Sequence, residues 1–258
     1  MTPPAHRQPA AVRVLARSRP LRWLKAGWRD FQRAPLPSML HGLVFLLAGS
    51  VIAAVGWHRH YLLAGAFSGF LLMAPMLMSG LYEVSRRLDR GEQPTVRDVI
   101  GVWIHGGGQM ARFGVLLAVL GTAWVLLSAL IILRFVGAAD GGVGDFLRAF
   151  VLSPNWLPFA FWLVAGGVFA ASVFAITAVS VPMMLDREVP LRTAVLTSVR
   201  AVGTNPEAMM LWASLVMGIT LIGFVAVVPL VVLVPVLGHA TWHAYVDTVD
   251  AADLPPRL

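Results

Sequence analysis

Hydrophobic residues dominate five long stretches of the chain, and charged residues gather in the segments between them. A helix needs about 20 mostly apolar residues to cross the core of a bilayer. The fifth stretch is about 39 residues long, twice what one crossing requires. We therefore predict that it folds back within 223–229 and supplies two spans. The five stretches are 38–57, 61–82, 113–133, 156–185 and 207–245.

This pattern predicts an all-α polytopic membrane protein with six transmembrane helices. The composition agrees, because 58% of the residues are hydrophobic, 13% are charged and the mean hydropathy is +0.75. Soluble domains carry about 25% charged residues, so an ordinary soluble enzyme and a disordered chain are both excluded. The sequence contains no cysteine, which excludes disulfides, thiolate metal sites and cysteine nucleophiles.

The net charge of +7 reflects membrane topology rather than nucleic-acid binding. With the N-terminus inside, 17 of the 20 Lys and Arg residues fall on one side, and Arg59, Arg134 and Arg148 fall on the other. Basic residues concentrate on the cytoplasmic side of membrane proteins, where they meet anionic lipid headgroups. We predict a multi-pass protein of the bacterial inner membrane with both termini cytoplasmic. Its expected partners are anionic headgroups and other membrane proteins, with no nucleic acid.

Three cytoplasmic segments have the spacing of amphipathic helices that lie at the membrane interface. They begin at Pro20, Pro94 and Pro190, and each precedes a pair of spans. Their apolar faces are Leu21, Leu24, Trp28 and Phe31; Val96, Val99, Ile100 and Trp103; and Leu191, Ala194, Val195, Val199 and Val202.

Two further helix starts are marked by capping residues. Thr95 and Asp98 have the spacing of a capping box. Asn205 precedes Pro206 and Glu207, which predicts an asparagine N-cap followed by proline and an acidic residue in the first turn.

A proline near the cytoplasmic end of the second span in each pair indicates an internal repeat. These prolines are Pro75, Pro182 and Pro235. We predict a disordered basic arm over 1–20, one transmembrane domain over 21–245 and a short cytoplasmic tail over 246–258. The predicted repeat units are 21–90, 91–188 and 189–245.

Two histidines at the inner end of the predicted sixth span are candidate metal ligands. His239 and His243 are four residues apart, which places them on one face of a helix, as two metal ligands require. Ser79, Asp186 and His239 each follow a repeat proline by four residues, and Glu83 and His243 follow by eight. If the repeats pack around a common axis, these residues converge, with His41 and His105 at a similar depth. The candidate metal ligands are His239, His243, Asp186, Glu83 and His41; the alternative is a structural polar cap without a metal.

Other sequence features argue against catalysis. No acidic or basic residue lies in the interior of a predicted span, whereas pumps and ion-coupled transporters keep ionisable residues there. The motifs of zinc proteases, serine hydrolases and P-loop enzymes are also missing. Small residues four apart, such as Gly65 with Gly69 and Gly166 with Ala170, favour close helix contacts in lipid.

Several strings resemble a family of bacterial integral membrane proteins, the domain of unknown function numbered 2189. The resemblance covers about residues 23–245, and its most specific part is the string 238–245, Gly-His-Ala-Thr-Trp-His-Ala-Tyr. It also includes 28–31, 181–187 and Asn205-Pro206. The resemblance implies a six-span inner-membrane protein without an assigned activity.

We therefore expect a non-catalytic accessory, assembly or lipid-interacting subunit that acts through contacts. The alternative is a metal- or cofactor-binding membrane protein with a His/carboxylate site at the cytoplasmic face, associated with a respiratory complex. An enzymatic activity is disfavoured, and no cofactor beyond that metal ion is indicated.

Overall fold

The computed structural model describes residues 8–56, 60–105, 107–137, 143–226 and 229–257. These residues are mostly helical, as predicted. The helices are α1 (Arg19–Arg33), α2 (Pro35–Gly56), α3 (His60–Leu77), α4 (Ser79–Asp89), α5 (Val96–His105), α6 (Gly107–Phe135), α7 (Val143–Phe146), α8 (Leu157–Thr177), α9 (Ser180–Asp186), α10 (Leu191–Thr204), α11 (Pro206–Ala226) and α12 (Leu230–Thr248). A π-helical turn, Leu147–Val151, follows α7, and the strands are β1 (Ala11–Val12) and β2 (Val249–Asp250).

Five helical segments in the described part of the chain are long and apolar enough to cross a membrane. They are Pro35–Gly56, Leu62–Asp89, Gly107–Phe135, Leu157–Asp186 and Pro206–Gly223. The fold is therefore that of an all-α, multi-pass integral membrane protein. The predicted sixth span corresponds to α12, which is not among these five, so the six-span count stays a prediction.

The fifth apolar stretch does divide into two helices where we expected a fold-back. Helix α11 ends at Ala226 and α12 begins at Leu230. A Cβ on Gly223 would lie 2.6 Å from Leu230 Cδ2, so the start of α12 packs directly on α11.

The described residues fall into two compact units. The first contains the residues up to Leu46, Pro75–Phe113 and the residues from Phe174 onward, and the second contains Leu47–Ala74 and Gly114–Val173. The candidate residues whose side chains are described lie in the first unit.

In the second unit, α3 and α6 approach closely at small residues. A Cβ on Gly69 would lie 3.2 Å from the Gly121 carbonyl oxygen, and one on Gly65 would lie 3.1 Å from Val125 Cα. Trp124 and Trp162 donate indole hydrogen bonds of 2.6 Å to Ser68 and Ser128. Close contacts of small residues and polar bonds of this kind hold helices together in lipid, where hydrophobic association is weak.

In the first unit, α1 packs along α12. The packing depends on Gly27, because a Cβ there would lie 2.5 Å from the Val236 carbonyl oxygen and 2.7 Å from the Ala240 nitrogen. At the far end of the contact, the Trp23 indole and the Arg19 guanidinium both donate to the Asp247 carboxylate.

The face of α1 that is buried differs from the apolar stripe in the sequence. Its buried residues include Trp23, Ala26, Gly27 and Asp30. Of the predicted stripe, Phe31 is buried, whereas Leu21 and Trp28 are 55% and 45% exposed. A membrane protein can bury small and polar residues inward because its large apolar residues have lipid available to them.

Helix α10, like α1, buries small and polar residues. Helix α5 begins where the sequence predicts. Small and hydroxyl-bearing residues form the buried face of α10: Thr193, Ala194, Thr197, Ser198 and Ala201. At the start of α5, the Asp98 carboxylate accepts hydrogen bonds from the Thr95 nitrogen and hydroxyl, both at 2.7 Å. The Asp98 half of the predicted capping box is confirmed, whereas the Asp98 nitrogen donates to the Thr95 carbonyl and not to its hydroxyl.

The N-terminal arm corrects one expectation. Residues 8–20 are ordered rather than disordered: β1 pairs antiparallel with β2, and the Ala10 nitrogen donates to the Thr197 hydroxyl at 2.9 Å. Residues 1–7 lie outside the described residues. The arm is ordered because its backbone groups find partners on α10, α12 and β2.

The expectation that the Asn205 side chain caps α11 is also corrected. Its Oδ1 accepts from the Leu15 nitrogen at 2.7 Å, and its Nδ2 donates to the Arg13 carbonyl at 3.0 Å. The Asn205 carbonyl accepts the first backbone bond of α11, from Met209. The residue therefore occupies the N-cap position, but its side chain holds the N-terminal arm instead of capping the helix.

The three repeat prolines lie in different local structures. Pro75 is inside α3, three residues before a break at Met78, and Pro182 lies in α9, just after a break at Ala178 and Val179. Pro235 lies inside the uninterrupted α12. The repeat organisation stays a prediction.

Candidate functional site

Helix α12 carries His239 and His243 on one face, as the spacing predicts, and His239 is fully buried. The two ring nitrogens of His239 lie 2.9 Å from the Ser38 hydroxyl and 2.8 Å from the Ser85 hydroxyl. Ser38 donates its own proton to the Ala34 carbonyl at 2.6 Å. Ser38 therefore accepts from His239 Nε2, and in the neutral imidazole Nδ1 is an acceptor that shares the single hydroxyl proton of Ser85 with the Asp30 carboxylate.

The neighbour of His243 is Asp30, an acidic residue outside the predicted metal set. His243 Nε2 lies 2.7 Å from Asp30 Oδ2, and Asp30 is only 3% exposed. Burial alone would raise the pKa of Asp30, but hydrogen bonds from His243 and Ser85 and the nearby imidazoles outweigh burial and bring this pKa below its usual range.

Ser85 joins the two histidines into one network. Its hydroxyl contacts both His239 Nδ1 and the Asp30 carboxylate. The network runs from His243 through Asp30, Ser85 and His239 to Ser38, and it connects α12, α1, α4 and α2. We call these five residues the histidine cluster. Its evident chemical capacity is to hold four helices together with hydrogen bonds that burial strengthens.

The carboxylates of the predicted metal set have other neighbours. Glu83 accepts bonds of 2.8 Å from both Arg86 and Arg87. Asp186 accepts from the Tyr245 hydroxyl and the Arg187 guanidinium, each at 2.9 Å. Asp30, and not Asp186, pairs with a histidine of α12.

His41 occupies the interior of the same unit. It is 2% exposed and packs against the rings of Trp103 and Phe45, with centroids 5.2 and 5.6 Å away. Among the described residues, the ring nitrogens of His41 make no hydrogen bond of standard geometry, and the Leu77 backbone supplies only a weak contact. The side chain of His105 lies outside the described residues.

Within the described ranges, no three His, Asp or Glu side chains are grouped so that they could hold a metal ion. The metal set predicted from the sequence therefore stays a prediction. In this conformation, His239, His243, Glu83 and Asp186 each have at least one protein partner.

The arginines near Asp186 are also engaged. An open cleft is lined by Gly107, Arg187, Pro190 and Arg257, among others. Arg187 donates to the Leu254 carbonyl at 3.0 Å, and Arg257 donates to the Met184 carbonyl at 2.9 Å. These bonds fasten the C-terminal segment to α9.

Sequence reasoning missed Asp30, Ser38 and Ser85. One signal could have found Asp30: it is the only acidic residue in α1, and it lies about one helical turn from Gly27, on the side of the helix that is buried. The two serines carry no such signal, because their role depends on helices α2 and α4 meeting at His239.

Comparison with known proteins agrees with this architecture. Residues 62–186 match the family model described as a predicted integral membrane protein, DUF2189, and the predicted resemblance is confirmed for that part of the chain. No curated protein and no solved structure matches the chain.

Proposed function

We propose that this chain is a non-catalytic integral protein of the bacterial inner membrane, an accessory, assembly or lipid-interacting subunit that acts through contacts. The observation that carries the proposal is that the histidine cluster uses its polar atoms to fasten α1 to the other helices. Both nitrogens of His239 are occupied by serine hydroxyls, and His243 is bound to Asp30.

A catalytic or metal-binding histidine needs an imidazole nitrogen with an available lone pair. His239 offers none, because its Nε2 donates to Ser38 and its Nδ1 lies 2.8 Å from the Ser85 hydroxyl. His239 and Ser85 are also fully buried, so neither side chain is open to a substrate from solution in this conformation. A structural role for these polar groups follows.

The position of α1, which the histidine cluster holds in place, supports a function that depends on contacts with a partner. Helix α1 leads directly into the span Pro35–Gly56. Its outer face exposes Trp28 and basic residues while its inner face is fixed to α12. This arrangement presents a rigid outer face at one end of a span, which suits a partner surface rather than a reaction.

The test is metal content and stability, measured together on the purified full-length protein and on the double variant His239→Gln plus His243→Gln. We expect sub-stoichiometric metal in both proteins and a lower thermal midpoint in the variant. The single variant Ser172→Ala is the control, because the exposed Ser172 donates only to a carbonyl of its own helix. Near-stoichiometric metal that disappears in the double variant, or substrate turnover by the pure protein, would reject the proposal.

Partner identity needs a second experiment. Wild type and Asp30→Asn are extracted from native membranes in mild detergent, and their co-purifying proteins and lipids are compared. If the partner binds through α1, we expect less of it to co-purify with Asp30→Asn, because this variant weakens the hydrogen bond between residue 30 and His243.

His41 supports a second candidate, the His/carboxylate metal or cofactor site at the cytoplasmic face. A buried imidazole without a well-formed hydrogen bond costs free energy, and a bound ion or cofactor would remove that cost. Under this candidate, metal retention depends on His41, and His41→Leu would lose the metal and also lose stability. If no ligand occupies the site, His41→Leu is neutral or stabilising, because leucine needs no hydrogen bond.

A further inference from the structure

The outer side of α1 carries two neighbouring sectors that no part of the described protein covers. At 100° per residue, Leu21, Leu24 and Trp28 form an apolar sector, with Leu21 and Trp28 exposed. Next to it lies a basic sector, whose four side chains are all exposed: Arg22, Lys25, Arg29 and Arg33. The inner sector of the helix is packed on α12.

The basic sector has no acidic counterpart among the residues that the structure describes. Within the described part of the chain, none of its four side chains forms an ion pair. The arginines around them behave differently, since Arg13 and Arg19 pair with Asp250 and Asp247. An unpaired group of four cations on one helix is complementary to an anionic surface.

The position of α1 identifies that surface. Only Ala34 separates the end of α1 from the span Pro35–Gly56, so α1 lies at one end of a membrane-crossing helix. An apolar sector beside a basic one suits the boundary between acyl chains and headgroups. An acidic soluble partner would pair with the charges and leave Leu21 and Trp28 in water.

We propose that the face formed by Leu21, Arg22, Lys25, Trp28 and Arg29 binds the headgroups of anionic phospholipids. The arginine and lysine side chains contact the phosphates, and Trp28, stacked on Phe31 at 5.6 Å, inserts at the level of the glycerol backbone. This proposal rests on the contact-based function above and names the chemistry of one contact.

The test compares lipid binding by two variants that each lose two positive charges. The first is Lys25→Gln plus Arg29→Gln; the control is Arg134→Gln plus Arg148→Gln, which removes basic residues of the opposite predicted side. Each full-length protein is incubated with an equimolar mixture of phosphatidylglycerol and phosphatidylcholine, and bound lipid is counted by native mass spectrometry. Thermal midpoints in phosphatidylcholine alone report whether each variant is folded.

We expect wild type to bind phosphatidylglycerol preferentially, and added salt to reduce this preference. In the α1 variant, the preference for phosphatidylglycerol over phosphatidylcholine should fall roughly tenfold. In the control variant, this preference should be unchanged. Absence of a preference in wild type, or equal losses in both variants, would overturn the proposal. So would binding of a polyglutamate peptide in place of lipid, which would assign the face to an acidic protein segment. None of these outcomes would reveal metal or turnover, so the proposed function is tested separately.

Discussion

His243 Nε2 lies 2.7 Å from a carboxylate oxygen of Asp30, and the bond joins α12 to the buried side of α1. Nearly the whole chain separates these two residues in sequence. The bond explains how a helix rich in arginine keeps one acidic residue in the protein interior: the imidazole and the Ser85 hydroxyl replace the water that the carboxylate loses.

The stability of the protein should depend on pH through Asp30. Because its pKa is lowered in the folded protein, its bonds contribute stability above the ordinary aspartate pKa of about 4, and this contribution is lost as the pH falls through the lowered value. We expect the thermal midpoint of wild type to drop in this acidic range. Asp30→Asn should be destabilised at neutral pH by about 1–3 kcal/mol and should respond less to acid.

The matched control for Asp30 is Asp145→Asn. Asp145 pairs with Arg148 at 3.4 Å, and both side chains are largely exposed, so the change should leave the midpoint almost unaltered. An acid response that is the same in wild type and Asp30→Asn would show that other groups control the transition.

Replacement of Ser85 should cost more than replacement of an exposed serine. Ser85→Ala removes the hydroxyl that His239 Nδ1 and the Asp30 carboxylate share, which leaves a buried acceptor unsatisfied. We expect a loss of about 1–3 kcal/mol by denaturation in detergent, and almost none for Ser172→Ala. Equal, small effects would mean that His239 finds another donor.

Gly27 should tolerate no side chain. The Cβ of Gly27→Ala would meet backbone atoms of α12, so α1 must move away, at about 1–3 kcal/mol or more. The loosened helix should also become more sensitive to limited proteolysis. In Gly203→Ala the new Cβ has no atom within 4 Å, and the better helix propensity of alanine should leave stability unchanged or raise it by up to about 1 kcal/mol.

Cysteine labelling should decide the number of spans, since the chain has no cysteine of its own. Single cysteines at three exposed positions, Gln8→Cys, Asn155→Cys and Ala252→Cys, are treated with a membrane-impermeant maleimide. Six spans predict labelling of Asn155→Cys in spheroplasts, and labelling of the other two only after the membrane is broken. If Ala252→Cys labels together with Asn155→Cys, the number of spans is odd.

The sequence by itself determined the features that depend on local pattern. The uncharged stretches matched five helices of spanning length, Asp98 accepts from the Thr95 nitrogen at the start of α5, and the fifth stretch divides between Ala226 and Leu230. Each follows from length, hydropathy or contacts within a few residues. The pairing of His239 and His243 on one face was determined in the same way, by the helical period.

Only the tertiary structure decided which polar groups meet. Asp30 reaches His243, Asn205 uses its side chain on Leu15 and Arg13, and the predicted ligands Glu83 and Asp186 bind arginines instead. The sequence also assigned the apolar stripe of α1 without indicating that Leu21 and Trp28 face outward. In a soluble protein an apolar stripe would face the core. In a membrane protein it can face lipid, so the buried face of α1 is determined by close contacts such as that between Gly27 and α12.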